Sequence, residues 1–218
     1  MRYRIKKLEV RSENAAKPAS QSARAVVEWI EKQRRMKSVL DLGCGKLRYA
    51  RYLAGKCDHL GLVDSQVQIE RRQVIGNCHT TVKDYAANSW PHAEVYSLEE
   101  FWKKTRRRYD FVLCANVISA IPSRIIRART LRSILRCLKK GGRVLVVNQY
   151  ANSYFSRMIN SGKVIAHLDG YILCSVRGNY YYGILPEEKM SRILAVCGFK
   201  VIERWRIGQS AFVLAVAR

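Results

Sequence analysis

Acidic side chains are scarce in this sequence: 17 Asp and Glu stand against 40 Lys and Arg, a formal net charge of +23 over 218 residues. A field of that sign repels cationic partners and attracts polyanions, of which nucleic acid is the usual one. Long apolar runs are missing too. No stretch reaches the roughly 18 apolar residues that a membrane-spanning helix needs. The opening residues, Met1-Arg2-Tyr3-Arg4-Ile5-Lys6-Lys7, are basic and lack the apolar centre of a signal peptide. The seven cysteines (44, 57, 78, 114, 137, 174 and 197) form no C-x-x-C pair, and the four histidines are scattered. That pattern argues against a zinc site or a disulfide frame and for reduced thiols in a cytoplasmic protein. No repeat or low-complexity tract interrupts the chain. With 48% hydrophobic residues it can build one proper core, and a single domain over 1–218 is expected.

What is present is organised around Ser38-Val39-Leu40-Asp41-Leu42-Gly43-Cys44-Gly45-Lys46-Leu47-Arg48-Tyr49-Ala50. An apolar run breaks at two glycines one residue apart and resumes with a helical pattern over Leu47–Ala54. A buried strand feeding a glycine turn that opens a helix is the ligand-binding corner of a doubly wound α/β sheet. Glycine suits it because the turn needs unusual dihedrals and a ligand must approach bare backbone. The dinucleotide version, G-x-G-x-x-G, would need glycine at 48, and that residue is Arg48. His59–Asp64 reads as the second strand. Its terminal acid lies about twenty residues past the turn, where such a carboxylate accepts hydrogen bonds from a ribose diol. Asp64-Ser65 can also cap a helix over Gln66–Ile75, and the two roles are compatible.

The remaining elements follow from periodicity. Residues 1–17 are a polar, basic arm, and Ser20–Arg35 is an amphipathic helix with Ala23, Val26, Val27 and Ile30 on one face. Together they make up 1–37. Thr80–Asn88 is weakly helical and Ala93–Tyr96 is a third strand. Ser97 and Glu100 match a capping box for the next helix. The basic loop Lys103–Arg108 leads into a strong buried strand over Tyr109–Ile118. A helix over Arg124–Lys140 carries a second stripe of Arg129, Arg132, Arg136 and Lys140, and Gly141-Gly142 is expected to stop it. Arg143–Asn148 is the fifth strand. Gln149–Tyr182 shows no clean period and is rich in tyrosine, so 149–185 reads as an insertion above the carboxyl edge of the sheet. A helix from Pro186 and a hairpin of Lys200–Ile207 with Ala211–Ala217 close the chain.

Asp41-Leu42-Gly43-Cys44-Gly45 resembles the acidic-x-Gly-x-Gly motif of class I S-adenosylmethionine-dependent methyltransferases, with Leu47 where that family often has a third glycine. Asn116 through Ile121-Pro122 is similar to the family's Asn-Val-x-x-x-Ile-Pro corner after the fourth strand. Leu138-Lys139-Lys140-Gly141-Gly142 and the terminal hairpin resemble it as well, so the likeness covers roughly 20–218. The resemblance implies a doubly wound, seven-stranded, mostly parallel sheet with a C-terminal antiparallel hairpin, and S-adenosyl-L-methionine as cofactor. It implies Asp41, Gly43, Cys44 and Gly45 around the methionine portion, and Asp64 with Ser65 at the ribose. Tyr96, Ser97 and Leu98 would lie along the adenine, and the backbone near Asn116 along the cofactor. Charge and location make Lys46 or Arg48 a partner for the cofactor's carboxylate, and Tyr49 or Tyr150 could offer an aromatic face to the sulfonium.

The acceptor is narrowed by absences. The chain has Ala115-Asn116-Val117-Ile118 where exocyclic-amine DNA methylases resemble one another in Asp/Asn-Pro-Pro-Tyr/Phe. It has no Pro-Cys of the cytosine-5 type either. The corner motif points towards a small acceptor and the charge towards nucleic acid. The leading expectation is an RNA or other polyanion docked by Lys103, Lys104, Arg106, Arg107, Arg108, Arg129, Arg132 and Arg136. A small-molecule O- or N-methyltransferase with an aromatic lid is the alternative, and an inactive nucleic-acid-binding protein on the same fold is another. His167 is the one histidine in the presumed lid. No catalytic residue and no metal ligand is assigned.

Overall fold

The computed structural model describes residues 2–16, 19–104, 107–149, 153–162, 164–174 and 178–217. In chain order these form a hairpin, β1 (Arg2–Ile5) and β2 (Leu8–Arg11), then helix α1 (Arg24–Glu31) and strand β3 (Met36–Leu42). A short helix α2 (Ala50–Ala54) leads to β4 (Cys57–Asp64), the single turn of α3 (Gln66–Glu70), and a small hairpin of β5 (Gln73–Ile75) and β6 (Cys78–Thr80). Helix α4 (Val82–Ser89), β7 (Ala93–Ser97), α5 (Leu98–Lys104) and β8 (Tyr109–Ala115) follow. Then come α6 (Arg124–Cys137), β9 (Leu138–Gln149), α7 (Ser153–Asn160) and the strands β10 (Val164–His167), β11 (Gly170–Leu173) and β12 (Tyr180–Gly183). Helix α8 (Glu187–Val196) and the strands β13 (Phe199–Ile207) and β14 (Ser210–Ala217) end the fold.

Seven strands make the main sheet in the order β13-β14-β9-β8-β3-β4-β7. Strands β8, β3, β4 and β7 are mutually parallel, and β13 with β14 is the antiparallel hairpin that the resemblance implied. The buried run Ser38–Leu42 explains the centre: β3 is covered on both faces, so its residues are buried one after another instead of alternating with exposed ones. Strand order reverses at β3, which has β4 on one side and β8 on the other. Ligands bind at the carboxyl ends of the strands beside such a switch point.

The chain divides into two compact units. One contains Ala16–Leu113 and Arg136–Arg143, and the other Met1–Ala15, Cys114–Leu135 and Val144–Arg218. In the first, α1 buries Val26 and Ile30, and Trp29 stacks on Phe111 with ring centroids 5.2 Å apart. Asp110 binds the start of β3, accepting from the Ser38 backbone N–H at 2.8 Å, and pairs with Lys139 at 2.7 Å. In the second, the hairpin β1–β2 packs Tyr3, Ile5 and Leu8 on a small core of Val10, Ile172 and Tyr181. The strands β10, β11 and β12 form an antiparallel sheet of their own.

Several expectations differ from this structure: the helix over Leu47–Ala54 begins only at Ala50, because Leu47 is in left-handed backbone (φ 59°), and the helix over Ser20–Arg35 covers Arg24–Glu31. The helix expected over Gln66–Ile75 stops at Glu70, because Gly76 (φ 59°) turns Gln73–Ile75 back onto Cys78–Thr80 as a hairpin. The helix over Arg124–Lys140 ends at Cys137, and Gly141-Gly142 lie inside β9. Glycine is needed there for close approach, since a Cβ on Gly142 would stand 2.9 Å from the Tyr109 carbonyl oxygen. The arm contains the hairpin β1–β2, and the aperiodic insertion contains α7 and three strands. Short strands whose partners lie far along the chain leave little periodic signal.

Candidate functional site

The glycine turn hangs from the ends of β3 and β4. The N–H groups of Gly43 and Cys44 both donate to the Val63 carbonyl, at 2.7 and 3.1 Å. Gly43 (φ 77°), Gly45 (φ 57°) and Leu47 (φ 59°) all take left-handed backbone, so Leu47 holds the conformation in which the third glycine is usual. Asp64 fixes the turn through Oδ2, which accepts from the Gly45 N–H at 2.8 Å, while Oδ1 accepts from the Ser65 N–H at 2.7 Å. The Ser65 hydroxyl caps α3 through the Gln68 N–H. Across β4 and β7, Asp64 is in register with Ser97.

Asp41, the last acid before the turn, is 2% exposed and its Oδ2 has no hydrogen-bond partner among the described residues. Burial, and next the charge of Asp64, push its pKa up to about 7, with Arg48 opposing. A buried carboxylate with a bare oxygen is a strong acceptor for any cationic or N–H donor that enters. Cys44 is buried and its thiol is pushed well above the ordinary value by that burial, so it stays neutral and unreactive.

Neighbouring residues brace the turn. Gln68, wholly buried, donates its amide N–H to the Gly45 carbonyl at 2.8 Å and to Gln73 Oε1 at 3.2 Å. Ser22 donates to the Arg48 carbonyl at 2.9 Å, and the Tyr49 hydroxyl accepts from the Ala23 N–H at 3.4 Å. The Ala16 methyl lies 3.8 Å from where a Gly45 Cβ would be. Tyr49 is 3% exposed, a packed ring with the Arg48 guanidinium 5.2 Å from its centroid.

The second unit contains a buried ionic knot. Arg127 on α6 makes a two-pronged pair with Asp169, Nη1 to Oδ2 at 2.6 Å and Nη2 to Oδ1 at 2.8 Å. Its Nε donates to the Ile121 carbonyl at 2.7 Å, and the Tyr181 hydroxyl donates to Asp169 at 2.6 Å. Burial works against the Asp169 charge, but hydrogen bonds from Arg127 and Tyr181, with the charges of Arg127 and Lys189, hold its carboxyl well below the usual range. His167 donates Nε2–H to the Pro122 carbonyl at 3.0 Å and sets its ring edge against Tyr181. The knot therefore ties β10–β12 to the corner that follows β8. That corner begins at Asn116 (φ 61°), whose N–H donates to the Val147 carbonyl at 2.7 Å.

Among known proteins, the family described as Methyltransferase domain matches residues 12–203. The chain belongs to that family. A protein of Escherichia coli, Uncharacterized protein YmfD, is 37% identical over 213 residues, covering 98% of this chain and 95% of its own. Among solved structures, the N-methyltransferase NodS of Bradyrhizobium japonicum with S-adenosyl-L-homocysteine matches 88% of this chain and 84% of its own, with a TM-score of 0.59 at 14% identity. The 1,6-didemethyltoxoflavin-N1-methyltransferase of Burkholderia thailandensis matches 91% and 80%, with a TM-score of 0.63 at 13% identity. An S-adenosylmethionine-dependent methyltransferase of Clostridium acetobutylicum matches 88% of both chains, with a TM-score of 0.62 at 11% identity. At these identities the likeness speaks for the fold, which is that of the class I enzymes. Family and fold together make the chain an S-adenosylmethionine-dependent methyltransferase.

In this methyltransferase one unit brings together Asp41, Gly43, Cys44, Gly45, Asp64 and Ser65, with Ser97 in register beside Asp64. Tyr96 and Leu98 flank Ser97. Tyr96 donates its hydroxyl to Glu94, and Ser97 forms the capping box with Glu100, their reciprocal bonds being 3.0 and 3.2 Å. Asn116 belongs to the other unit. Of the expected basic contacts, Lys103, Arg107, Arg108, Arg129, Arg132 and Arg136 are exposed, and Arg107 lies 3.8 Å from Glu94. Arg106, the Lys104 side chain and Tyr150 lie outside the described residues. Sequence reasoning missed Gln68, Arg127 and Asp169. Asp169-Gly170 in an aperiodic stretch is a turn signal that could have drawn attention to the acid. Gln68 carries no signal, since its role appears only when β5 folds back.

Proposed function

We propose that this methyltransferase acts on a small molecule held at the corner after β8 and walled by the 149–185 insert. The observation that supports this best is the Arg127–Asp169–Tyr181 knot. It fixes β10–β12 on the corner Ile121-Pro122, which in class I enzymes faces the acceptor. A Cβ on Gly183 would stand 3.0 Å from the Ser119 carbonyl oxygen, so the wall sits directly on its base. A fixed wall suits a small acceptor, whereas a polymer needs an open groove. One fold neighbour is described with its small acceptor, 1,6-didemethyltoxoflavin, bound.

The residues of the glycine turn fit the methyl donor. The bare, buried Oδ2 of Asp41 matches the ammonium of the donor's methionine portion. Asp64, which accepts from the Gly45 N–H of the turn and the Ser65 N–H of the next helix, carries the carboxylate suited to a ribose diol. Gly43 and Gly45 leave the backbone bare for close approach. When bound, the donor supplies a sulfonium methyl group that an acceptor lone pair displaces in line, releasing the thioether. The chain's own contribution is to orient what it binds, and positioning of that kind can supply a large share of the rate.

The charge of +23 favours a second reading, a polyanionic acceptor. Incubating the protein with methyl-labelled S-adenosylmethionine and a whole-cell extract, then separating low-mass compounds from RNA, tests both. Label in the low-mass fraction is expected. Label confined to RNA, and abolished by reversing the charges of Arg107 and Arg108, would overturn the small-molecule reading in favour of the polyanion.

A further inference from the structure

Strand β9 runs Val144-Leu145-Val146-Val147 through the core, each residue 0 to 2% exposed, and then places Asn148 at 1% exposure. Neither Oδ1 nor Nδ2 of Asn148 has a hydrogen-bond partner among the described residues. A buried amide with both ends bare is rare, because an unpaired polar group in the interior forfeits its hydration. Its location is informative. The Val147 carbonyl accepts the N–H of Asn116, so Asn148 is one residue beyond the tie that joins the end of β9 to the corner after β8. That is the carboxyl edge of the sheet, where α/β folds bind ligands.

We infer that Asn148 reads the acceptor, pairing its amide with a neutral, planar edge that carries a hydrogen-bond donor beside an acceptor, as in an amide, lactam or ring imide. The inference rests on the small-molecule reading and adds a chemical class to it. An amide offers one carbonyl and two N–H groups in a plane, so its complement is a group with N–H and C=O side by side. A neutral ligand fits better than a charged one, because Asn148 follows the buried apolar run Val144–Val147, beside which an isolated charge would be poorly solvated. Sites built to pair with such an edge reject analogues lacking it, since the pocket's own polar atoms are then left unsatisfied.

The test uses the full chain saturated with S-adenosyl-L-homocysteine. Nicotinamide, 2-pyridone, uracil and succinimide are probes that carry the edge, and benzene and toluene are matched probes that lack it. Binding is read by saturation-transfer NMR for wild type, Asn148→Leu and Asn148→Ala. At least one edge-bearing probe is expected to bind wild type and to lose at least about tenfold in affinity in Asn148→Leu. The same variant should keep its S-adenosyl-L-homocysteine affinity and unfold at the same or a higher temperature. No binding by any edge-bearing probe, or equal binding by wild type and both variants, would overturn the inference. A marked fall in unfolding temperature in both variants would also overturn it by making Asn148 structural. If the labelling experiment marks small molecules while these probes bind both variants equally, the acceptor reading stands and only the role of Asn148 fails.

Discussion

The glycine turn and the 149–185 insert handle buried charge in opposite ways. Around the insert it is satisfied by pairing: Asp169 and Tyr181 of the insert bind Arg127 of α6, and another Arg127 donor goes to the Ile121 carbonyl. The turn leaves Asp41 buried with a bare oxygen, while Asp64, whose charge helps raise the Asp41 pKa, accepts from two backbone N–H groups. A fully paired knot rigidifies. A half-satisfied acid costs stability and is retained where something else completes it.

The largest effect should come from breaking the lock. Arg127→Ala leaves Asp169 charged with only Lys189 and Tyr181 beside it, and should cost about 3–5 kcal/mol in urea unfolding. The double replacement Arg127→Met with Asp169→Leu should recover most of that, because a buried pair is often replaceable by apolar groups of similar volume. Asp41→Asn should do the reverse. It should leave stability unchanged or higher while lowering S-adenosyl-L-homocysteine affinity by roughly 10- to 100-fold, the scale of one charge-assisted hydrogen bond. If Asp41→Asn unfolds as readily as Arg127→Ala, the contrast between the two regions collapses.

Leu47→Gly sharpens the comparison at the turn itself. Relief of left-handed strain is worth about 1–2 kcal/mol, whereas removing a side chain that is 3% exposed costs at least the roughly 2–5 kcal/mol of a buried Leu→Ala change. Packing wins, so chemical denaturation should show a net loss of about 1–3 kcal/mol with cofactor affinity retained. The smallest effect is on pH. Asp41 titrates near 7 in the folded protein and near the ordinary carboxylate value when unfolded. Its contribution to stability is thus fully present in acid and is lost as pH rises from about 4 through 7. Asp41→Asn should flatten that part of the stability profile. On the proposed role of Asp41 as partner of the donor's ammonium, the ionised carboxylate is the binding form, so wild-type affinity should rise over the same upper range with release of a proton.

The sequence was most informative where local rules decide. Ser38–Leu42 with Gly43 and Gly45 reads as strand and turn because burial on both faces and positive φ leave their mark on consecutive residues. The capping box of Ser97 and Glu100 and the closing hairpin are local in the same way, and all three form as read. The insert was opaque because its order depends on pairs far apart: Arg127 with Asp169, Val10 with Asn179, and three strands of four residues each. Gly142 misled for a related reason. It looks like a helix stop, and it is needed instead for the approach of the Tyr109 carbonyl. The bare state of Asp41 and Asn148 could not be read at all, since an absence of partners exists only in the folded chain.

Calorimetric titration of S-adenosyl-L-homocysteine into wild type and Asp41→Asn tests the central claim most directly. Micromolar binding by wild type, with a clear loss in a variant that remains folded, is the predicted result. No binding by folded wild type, or equal binding by the two proteins, would contradict the assignment of the glycine turn as the methyl-donor site.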